Sequence, residues 1–274
     1  MLHLCCRMLR APRGLASGWA RRSCAEEGRL FRHLTTATHY DQARSSYDEA
    51  PFYSSAHPNY SATVDLVLWH LAMRPEHRLA DIGAGNGAFT NALLQRAGHP
   101  VRATVVEPSE QFMSGVSEQP CIERAVNSSL VGWAALRADG GSGRFDRLLL
   151  KEMIHHLGDR AEREASLALL RENRLSERGR LVLLTRHHDQ HGIPLFAAAR
   201  QVWTDNQPTA AALVADLEAA GFVDVKVTES TLTYRMALER WCSLVSGRFW
   251  STFSHFSDAE LAAGVAEIRQ QVMT

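Results

Sequence analysis

The fold of this chain is decided by residues 79–90, LADIGAGNGAFT. Arg78 and the first four of these residues form a run of the length of a buried strand. Phe89, Leu93 and Leu94 follow at the spacing of a helix that packs back onto that strand. Glycines between the two segments allow a sharp turn, and without a Cβ they let a ligand approach the exposed amides at the helix start. The stretch predicts a strand, a ligand-binding turn and a helix.

Two nucleotide cofactors are compatible with this turn. Residues 83–88 satisfy the loose dinucleotide pattern G-x-G-x-x-G/A, which is typical of NAD(P) sites. Asp81, however, precedes the first glycine by two residues, where a carboxylate repels a pyrophosphate and attracts the ammonium group of a methionine moiety. The full D-x-G-x-G-x-G pattern resembles motif I of the class I S-adenosylmethionine (SAM)-dependent methyltransferases. The resemblance spans the chain from about Tyr40 to the C-terminus.

The resemblance implies a doubly wound, seven-stranded, mostly parallel sheet of the Rossmann-like methyltransferase type, with an antiparallel closing strand pair and helical lids. Apolar segments alternate with helical patterns as this fold requires. The further strands are expected at residues 101–107, 121–126, 145–151, 179–184, 223–229 and 231–236. No helix separates the last two, which indicates an antiparallel pair. A helix capped by Thr209 and a capping box from Ser257 to Glu260 are also expected.

Charge and length narrow the class of protein. The 274 residues include 30 Lys and Arg against 30 Asp and Glu, a formal net charge of +0. Without a long basic run, the chain lacks the clustered cations that a nucleic-acid groove needs. Five scattered cysteines favour neither a disulfide framework nor a zinc site. One domain at residues 39–274, binding a small-molecule substrate, is expected.

Residues 1–38 are predicted to be a leader. The first acidic residue is Glu26, and the arginines before it lie at positions 7, 10, 13, 21 and 22 among leucines. This composition is typical of an organelle transit peptide, and the apolar runs are too short for a membrane span. We expect import into mitochondria, or into plastids where they exist. An uncleaved tail, which leaves the protein in the cytoplasm, is the alternative.

Two later strand ends offer further cofactor contacts. Glu107 lies 24 residues after Gly83, where a carboxylate can accept hydrogen bonds from both ribose hydroxyls. Asn127 lies where the resemblance implies recognition of the adenine amine, although residues 127–129 could instead cap the next helix. The predicted cofactor-binding residues are Asp81, Gly83, Ala84, Gly85, Asn86, Gly87, Glu107, Pro108, Asn127, Ser128 and Lys151.

The fourth and fifth strands should deliver polar residues to one edge of the sheet. Histidine titrates near neutrality, so His156 or His155 is a candidate general base, with Glu152 as an alternative. Equally, one histidine could pack on the sheet while the other caps a helix. The paired histidines and Asp189 are metal-ligand types, but no helical i, i+4 pair accompanies them, so no metal is predicted.

Aromatic residues before the first helix predict a lid over the site, or rings that only pack on the outside of the domain. They are Tyr40, Tyr47, Phe52, Tyr53 and Tyr60. The prolines among them exclude one continuous helix.

Three functions are compatible with these patterns. The first is SAM-dependent methyl transfer to a small organic acceptor, similar to the "type 11" group. The second is a methyltransferase-like assembly or scaffold protein without turnover, and the third is an NAD(P)-dependent oxidoreductase. The intact glycine turn and Glu107 favour an enzyme over a scaffold, and Asp81 together with the expected closing strand pair disfavours NAD(P). The acceptor atom, whether O, N, S or C, stays open.

Overall fold

The computed structural model describes residues 2–7, 54–98, 103–116, 119–136, 143–189 and 192–273. The strands in these residues are β1 Leu2–Arg7, β2 Leu79–Ile82, β3 Ala103–Glu107, β4 Ile122–Asn127, β5 Phe145–Lys151, β6 Leu175–Thr185 and β7 Val223–Glu229. The helices are α1 Pro58–Leu71, α2 Ala88–Ala97, α3 Glu110–Met113, α4 Leu130–Ala135, α5 Arg160–Leu169, α6 Ala197–Asn206, α7 Ala210–Ala219, α8 Leu238–Ser246 and α9 Asp258–Met273. Of the aromatic residues predicted to form a lid, only Tyr60 lies inside the described residues, and the leader from residue 8 onward lies outside them.

The strands form one sheet in the order β4-β3-β2-β5-β6-β1-β7. Neighbours among the first five strands of this order are parallel. Because helices connect these strands, the carboxyl ends of all five meet at one edge of the sheet. The predicted parallel α/β sheet is therefore confirmed for these five strands, and the predicted strand at 145–151 has the observed bounds.

The predicted closing strand pair is not confirmed. Residues 223–229 form β7 as expected, but residues 231–236 belong to no strand or helix. Their place beside β7 is taken by β1, which pairs antiparallel with both β6 and β7. Residues 231–236 instead lie against the start of α1, where the Asn59 side-chain amide donates to the Thr233 carbonyl at 2.8 Å. The antiparallel pairing expected between residues 231–236 and β7 is therefore not observed.

Apolar side chains cover both faces of the sheet. One face, including Ile82, Leu148 and Leu150, packs against α4, α5 and α7. The other face, including Leu79 and Leu149, packs against α1 and α2. Burial of both faces explains why the central strands β2 and β3 are nearly continuous apolar runs in the sequence.

A separate aromatic cluster, here called the aromatic cap, follows β6 along the chain. Its large rings are Trp203, Trp241, Phe249, Trp250 and Phe253, from α6, α8 and the turn before α9. The Trp241 indole N–H donates to the Pro194 carbonyl at 2.7 Å. The predicted helix caps are both present, since Thr209 accepts from Ala212 and Ser257 exchanges hydrogen bonds with Glu260.

Candidate functional site

The turn after β2 has the geometry that its glycines predict. Gly83 and Gly85 have φ angles of 73° and 58°, in the left-handed region that favours glycine. A Cβ on Gly83 would lie 2.9 Å from the Cβ of Met153, so this glycine is required by packing. A Cβ on Gly85 would meet no described atom within 4 Å. Gly85 therefore faces open space beside the start of α2, as a turn that admits a ligand should.

Asp81 lies beneath this turn and is 1% exposed. Its Oδ2 accepts a hydrogen bond from the Thr90 hydroxyl. Its Oδ1 is buried and has no hydrogen-bond partner among the described residues. Burial raises the pKa of Asp81 to about 6, although the Thr90 hydrogen bond and the charge of Lys151 oppose the shift. A cationic group reaching Asp81 would supply the missing donor and restore the ionised form.

Glu107 faces the turn from the end of β3. Its Oε2 accepts from the Gly85 amide at 2.9 Å, and its Oε1 accepts from the Ser109 amide at 3.0 Å. Burial raises the pKa of Glu107, and these two amides oppose that effect. Each carboxylate oxygen has a second lone pair, so both can accept a further hydrogen bond from a ligand hydroxyl.

The amide of Asn127 has a defined orientation at the end of β4. Its nitrogen donates to the carbonyls of Glu107 and Pro108, at 3.1 Å each. The amide oxygen, which is the acceptor proposed from the sequence, is therefore not used in these two hydrogen bonds. Residues 127–129 also cap α4 as the alternative expected, but the capping side chain is Ser129 and not Asn127. Ser128 bonds back to Glu107 through its amide at 3.2 Å.

The remaining predicted cofactor residues belong to the same turn. Gly83 and Ala84 donate their amides to the Val106 carbonyl, which ties the turn to β3. The Asn86 side chain accepts from the Ala88 amide at 3.1 Å, and Gly87 precedes the first residue of α2. The turn rim, as we call the carboxyl ends of β2 and β3 with this turn, thus contains most of the predicted cofactor set.

Lys151 lies at the end of β5, with its Nζ 4.9 Å from the centre of the Phe89 ring. Phe89 also contacts the Tyr60 ring edge-on, with the ring centres 5.6 Å apart. Burial raises the pKa of Tyr60 to about 12, so this phenol stays neutral. The Lys151 charge helps to keep Asp81 ionised, which connects the turn rim to the next group of residues.

A buried ion pair dominates the carboxyl ends of β5 and β6, here called the ion-pair rim. Glu152 Oε2 lies 2.8 Å from a terminal nitrogen of Arg186, and the two side chains are 9% and 12% exposed. Glu152 has a φ angle of 53°, which is unusual for a residue other than glycine. Strained backbone of this kind persists where the surrounding structure holds it, often at a functional site.

Aromatic rings surround this ion pair. The Arg186 guanidinium carbon lies 4.1 Å from the centre of the Trp250 ring and 5.8 Å from that of Trp203. Tyr234, from the segment predicted as a strand, is half-buried here. Its pKa is raised by burial and then by the charge of Glu152. Sequence reasoning missed the roles of Arg186, Trp250 and Tyr234, because no local pattern connects residues so distant in the chain.

The two candidate histidines lie on a short 3₁₀ turn, Ile154–His156, directly after β5. Their ring centres are 4.0 Å apart. Nδ1 of His155 is buried without a hydrogen-bond partner among the described residues. Burial, followed by the positive charge of Arg186, lowers the pKa of His155 to about 4. His155 is therefore neutral at physiological pH and is a weak base, which agrees better with a packing role than with proton removal.

The second histidine pair has local partners. His188 donates through Nδ1 to the Gln207 carbonyl, and the Asp189 amide donates to Nδ1 of His187 at 3.1 Å. Within the described residues, no group of three or more His, Cys, Asp or Glu side chains is arranged to hold a metal ion. In the same residues, no helix combines the length and the apolar character needed to cross a membrane.

Comparisons with known proteins identify the fold. No family model matches the chain, and no curated protein matches it. Among solved structures, the [4+2]-cyclase SpnF has a TM-score of 0.56 at 15% identity, covering 87% of this chain and 90% of its own. A mycolic acid cyclopropane synthase solved with SAH and CTAB has a TM-score of 0.54 at 16% identity, with 84% and 89% covered.

A third solved structure is a putative methyltransferase from an antibiotic biosynthesis pathway of Anabaena variabilis. Its TM-score is 0.53 at 14% identity, covering 78% of this chain and 86% of its own. Identities this low establish the arrangement of strands and helices, while the reaction must be argued from the site itself. The chain has the Rossmann-like α/β fold of the class I methyltransferases.

Proposed function

We propose that this protein is a SAM-dependent methyltransferase that acts on a small organic acceptor. The observation that carries the proposal is Asp81, a buried carboxylate with one oxygen that has no partner among the described residues, beneath an open glycine turn. A dinucleotide pyrophosphate would bring negative charge to this carboxylate. The ammonium group of a methionine moiety would bring the positive charge and the donors that Asp81 lacks.

The turn rim fits the other parts of SAM. Glu107 would accept from the ribose hydroxyls, and the Asn127 amide oxygen would accept from the adenine amine. Gly85 leaves space for the ligand to approach the backbone. The cofactor would supply an electrophilic methyl group on a sulfonium. The protein would then need to hold the acceptor in line with that methyl and to remove any proton that the acceptor loses.

Of the proton acceptors proposed from the sequence, His156 is the one we favour. Glu152 is held by Arg186, and the lowered pKa of His155 makes it a poor base. His156 shares the turn after β5, so it lies at the edge of the sheet where the acceptor would bind. Proton removal from the acceptor would thus fall to the second histidine of the pair.

Isothermal titration of the purified protein with SAM and with NADH tests the cofactor. We expect SAM to bind and NADH not to bind. Binding of NADH without SAM would mean that Asp81 has been misinterpreted and that an oxidoreductase is the better hypothesis. The Asp81→Asn variant, which keeps the size of the side chain, is the matched control and should bind SAM more weakly.

Turnover must be tested separately from binding. SpnF shows that this fold also occurs in a cyclase, and a scaffold protein could bind SAM without using it. The test is incubation with methyl-labelled SAM and a metabolite extract, followed by a search for a labelled product. A protein that binds SAM but labels nothing in extracts from its own organism would be better described as a scaffold or a cyclase.

We further propose that the chain is imported into mitochondria through residues 1–38, on the arginine-rich composition described above. A reporter fused to residues 1–40 should accumulate in mitochondria, whereas a diffuse cytosolic signal would contradict import. Mass spectrometry of the protein isolated from cells would locate the cleavage site. It would also show whether Leu2–Arg7, which forms β1, is retained in the mature chain.

A further inference from the structure

The ion-pair rim contains two buried charged side chains that methyl transfer itself does not require. Glu152 and Arg186 are both nearly buried, and burying two charges costs desolvation energy that their attraction does not reliably recover. Such a pair is weak as a stabilising device. Glu152 also has a strained backbone, with a φ angle of 53°. Together these features indicate a group that is kept in place for a ligand.

Arg186 is held independently of Glu152. Its guanidinium lies against the face of Trp250, at 4.1 Å from the ring centre, with Trp203 beyond at 5.8 Å. Stacking on an aromatic face fixes the plane of a guanidinium and directs its N–H groups outward along its edges. A guanidinium has five N–H donors along its edges. Arg186 can therefore remain on Trp250 while a ligand competes with Glu152 for those edges.

The charges at this rim favour an acidic ligand. Glu152 and Arg186 cancel each other, while Tyr234 and His155 are neutral at physiological pH because burial shifts their pKa values away from neutrality. The sulfonium of bound SAM would add one positive charge. Because the Glu152 carboxylate offsets Arg186, the sulfonium sets the net charge of the rim, so a cationic acceptor would be repelled by it and an oxyanion would be attracted.

From this geometry we propose that Arg186 binds an oxyanionic group, such as a carboxylate, on the acceptor. Trp250 supports Arg186 from behind, and Glu152 occupies the guanidinium edge and competes with the ligand. Tyr234 and His155 border the same place. The inference rests on the proposed function, and it adds the chemical class of the acceptor.

The test measures the binding of matched aromatic probes to the full-length protein in the presence of S-adenosylhomocysteine. The probes are benzoate, benzamide and benzylamine. Their binding is measured by NMR or calorimetry. We expect benzoate to bind more tightly than the neutral and cationic probes. Arg186→Met should abolish benzoate binding, and Arg186→Lys should weaken it by about 10-fold because the planar fork is lost. Arg96→Met, which removes a surface arginine paired with Asp65, is the control and should change nothing.

Glu152→Gln separates ligand binding from a structural role. If Glu152 competes for Arg186, its neutral analogue should strengthen benzoate binding by about 3- to 10-fold. Unchanged or weaker binding in a folded Glu152→Gln variant overturns the proposal, as does tighter binding of benzylamine than of benzoate. Titration of the wild-type protein with SAM is run beside these measurements. SAM binding combined with a preference for benzylamine contradicts only this inference, whereas absence of SAM binding contradicts the proposed function.

Discussion

The turn rim and the ion-pair rim occupy the same edge of the sheet but arise from the sequence in different ways. The turn rim is built by a short motif: Asp81, Gly83 and Gly85 are close in the chain, and Glu107 follows at the end of the next strand. The ion-pair rim joins Glu152 to Arg186 and Trp250, which are far apart in the chain. Cofactor chemistry can therefore be inferred from spacing, whereas acceptor chemistry depends on tertiary packing.

The largest expected effect belongs to the ion-pair rim. If His156 removes the acceptor proton, His156→Asn should lower turnover by roughly 10²- to 10⁴-fold, the usual contribution of a general base. SAM affinity and the melting temperature should stay unchanged. His155→Asn is the matched variant and should cost much less turnover. Steady-state kinetics with the identified acceptor make the measurement.

A different outcome would assign these histidines to structure. Loss of activity in proportion to a lowered melting temperature would show that His156 packs and does not react. Full activity in both single variants and in the double variant would leave alignment of the acceptor as the main source of catalysis.

The next largest effect is a loss of SAM affinity, and it tests the role of the turn rim. Asp81→Ala removes a charge-assisted hydrogen bond to the SAM ammonium and should weaken SAM binding by about 1.5 to 3 kcal/mol. Asp65→Ala, at an exposed carboxylate on α1, should leave the affinity unchanged. Calorimetric titration of both variants provides the comparison. Wild-type SAM affinity in a folded Asp81→Ala protein would contradict the role of Asp81 in binding the SAM ammonium.

A smaller effect is expected when SAM affinity is measured as a function of pH. The pKa of Asp81 is raised to about 6, so its carboxylate is mostly protonated below that pH and cannot pair with an ammonium. SAM affinity should fall by about 10-fold between about pH 7 and pH 5, and binding near pH 6 should release a proton. Calorimetry in buffers of different ionisation enthalpy measures that proton. The Asp81→Asn variant should lose this pH dependence.

The free energy of unfolding is a poor measure of the Asp81 titration, because Asp81 and His155 change it in opposite directions as the pH changes. The raised pKa of Asp81 contributes stability that is present below about pH 4 and is lost as the pH rises through about 6. The lowered pKa of His155 contributes stability that is present above about pH 6.5 and is lost as the pH falls towards 4. Ligand affinity should therefore be measured in place of the melting temperature.

The smallest effect distinguishes two glycines of the turn rim. Gly83→Ala adds a contact with Met153 to the strain of a positive φ angle, whereas Gly85→Ala adds the strain alone. Gly83→Ala should therefore be less stable than Gly85→Ala by about 1 kcal/mol. Gly85→Ala should nevertheless bind SAM more weakly, because its methyl group projects into the ligand space. Calorimetry would show wild-type SAM affinity in Gly85→Ala if the open space has no function, and denaturant unfolding would show equal stability of the two variants if the Met153 contact costs nothing.

Local sequence was sufficient for the elements whose neighbours are close in the chain. Strand β5, the caps of α7 and α9 and the contacts around Glu107 follow from patterns within a few residues or one strand–helix unit. A strand was expected at 231–236 as well, because no helical pattern separates this segment from 223–229, but a segment without a helical pattern need not pair with the strand before it. That segment covers the start of α1, and β1 takes the pairing position.

The aromatic support of Arg186 had no local pattern to find. Trp250 follows Arg186 by many residues and approaches it only because α6, α8 and the turn before α9 pack into the aromatic cap. Arg186 directly follows β6, close to the end of the strand predicted at 179–184, but the partner of its guanidinium depends on how the cap docks. Residues of this kind are predictable only once the tertiary arrangement is known.

The position of β1 has a consequence for the order of folding. β1 lies between β6 and β7, so its hydrogen-bond partners are separated from it by most of the chain. Closing such a long loop costs entropy before any contact repays it, which makes this pairing a late and slow step. Strands β2 to β6 can assemble around the glycine turn first. The first residues of the chain would then stay available to other proteins until the last strand has been synthesised.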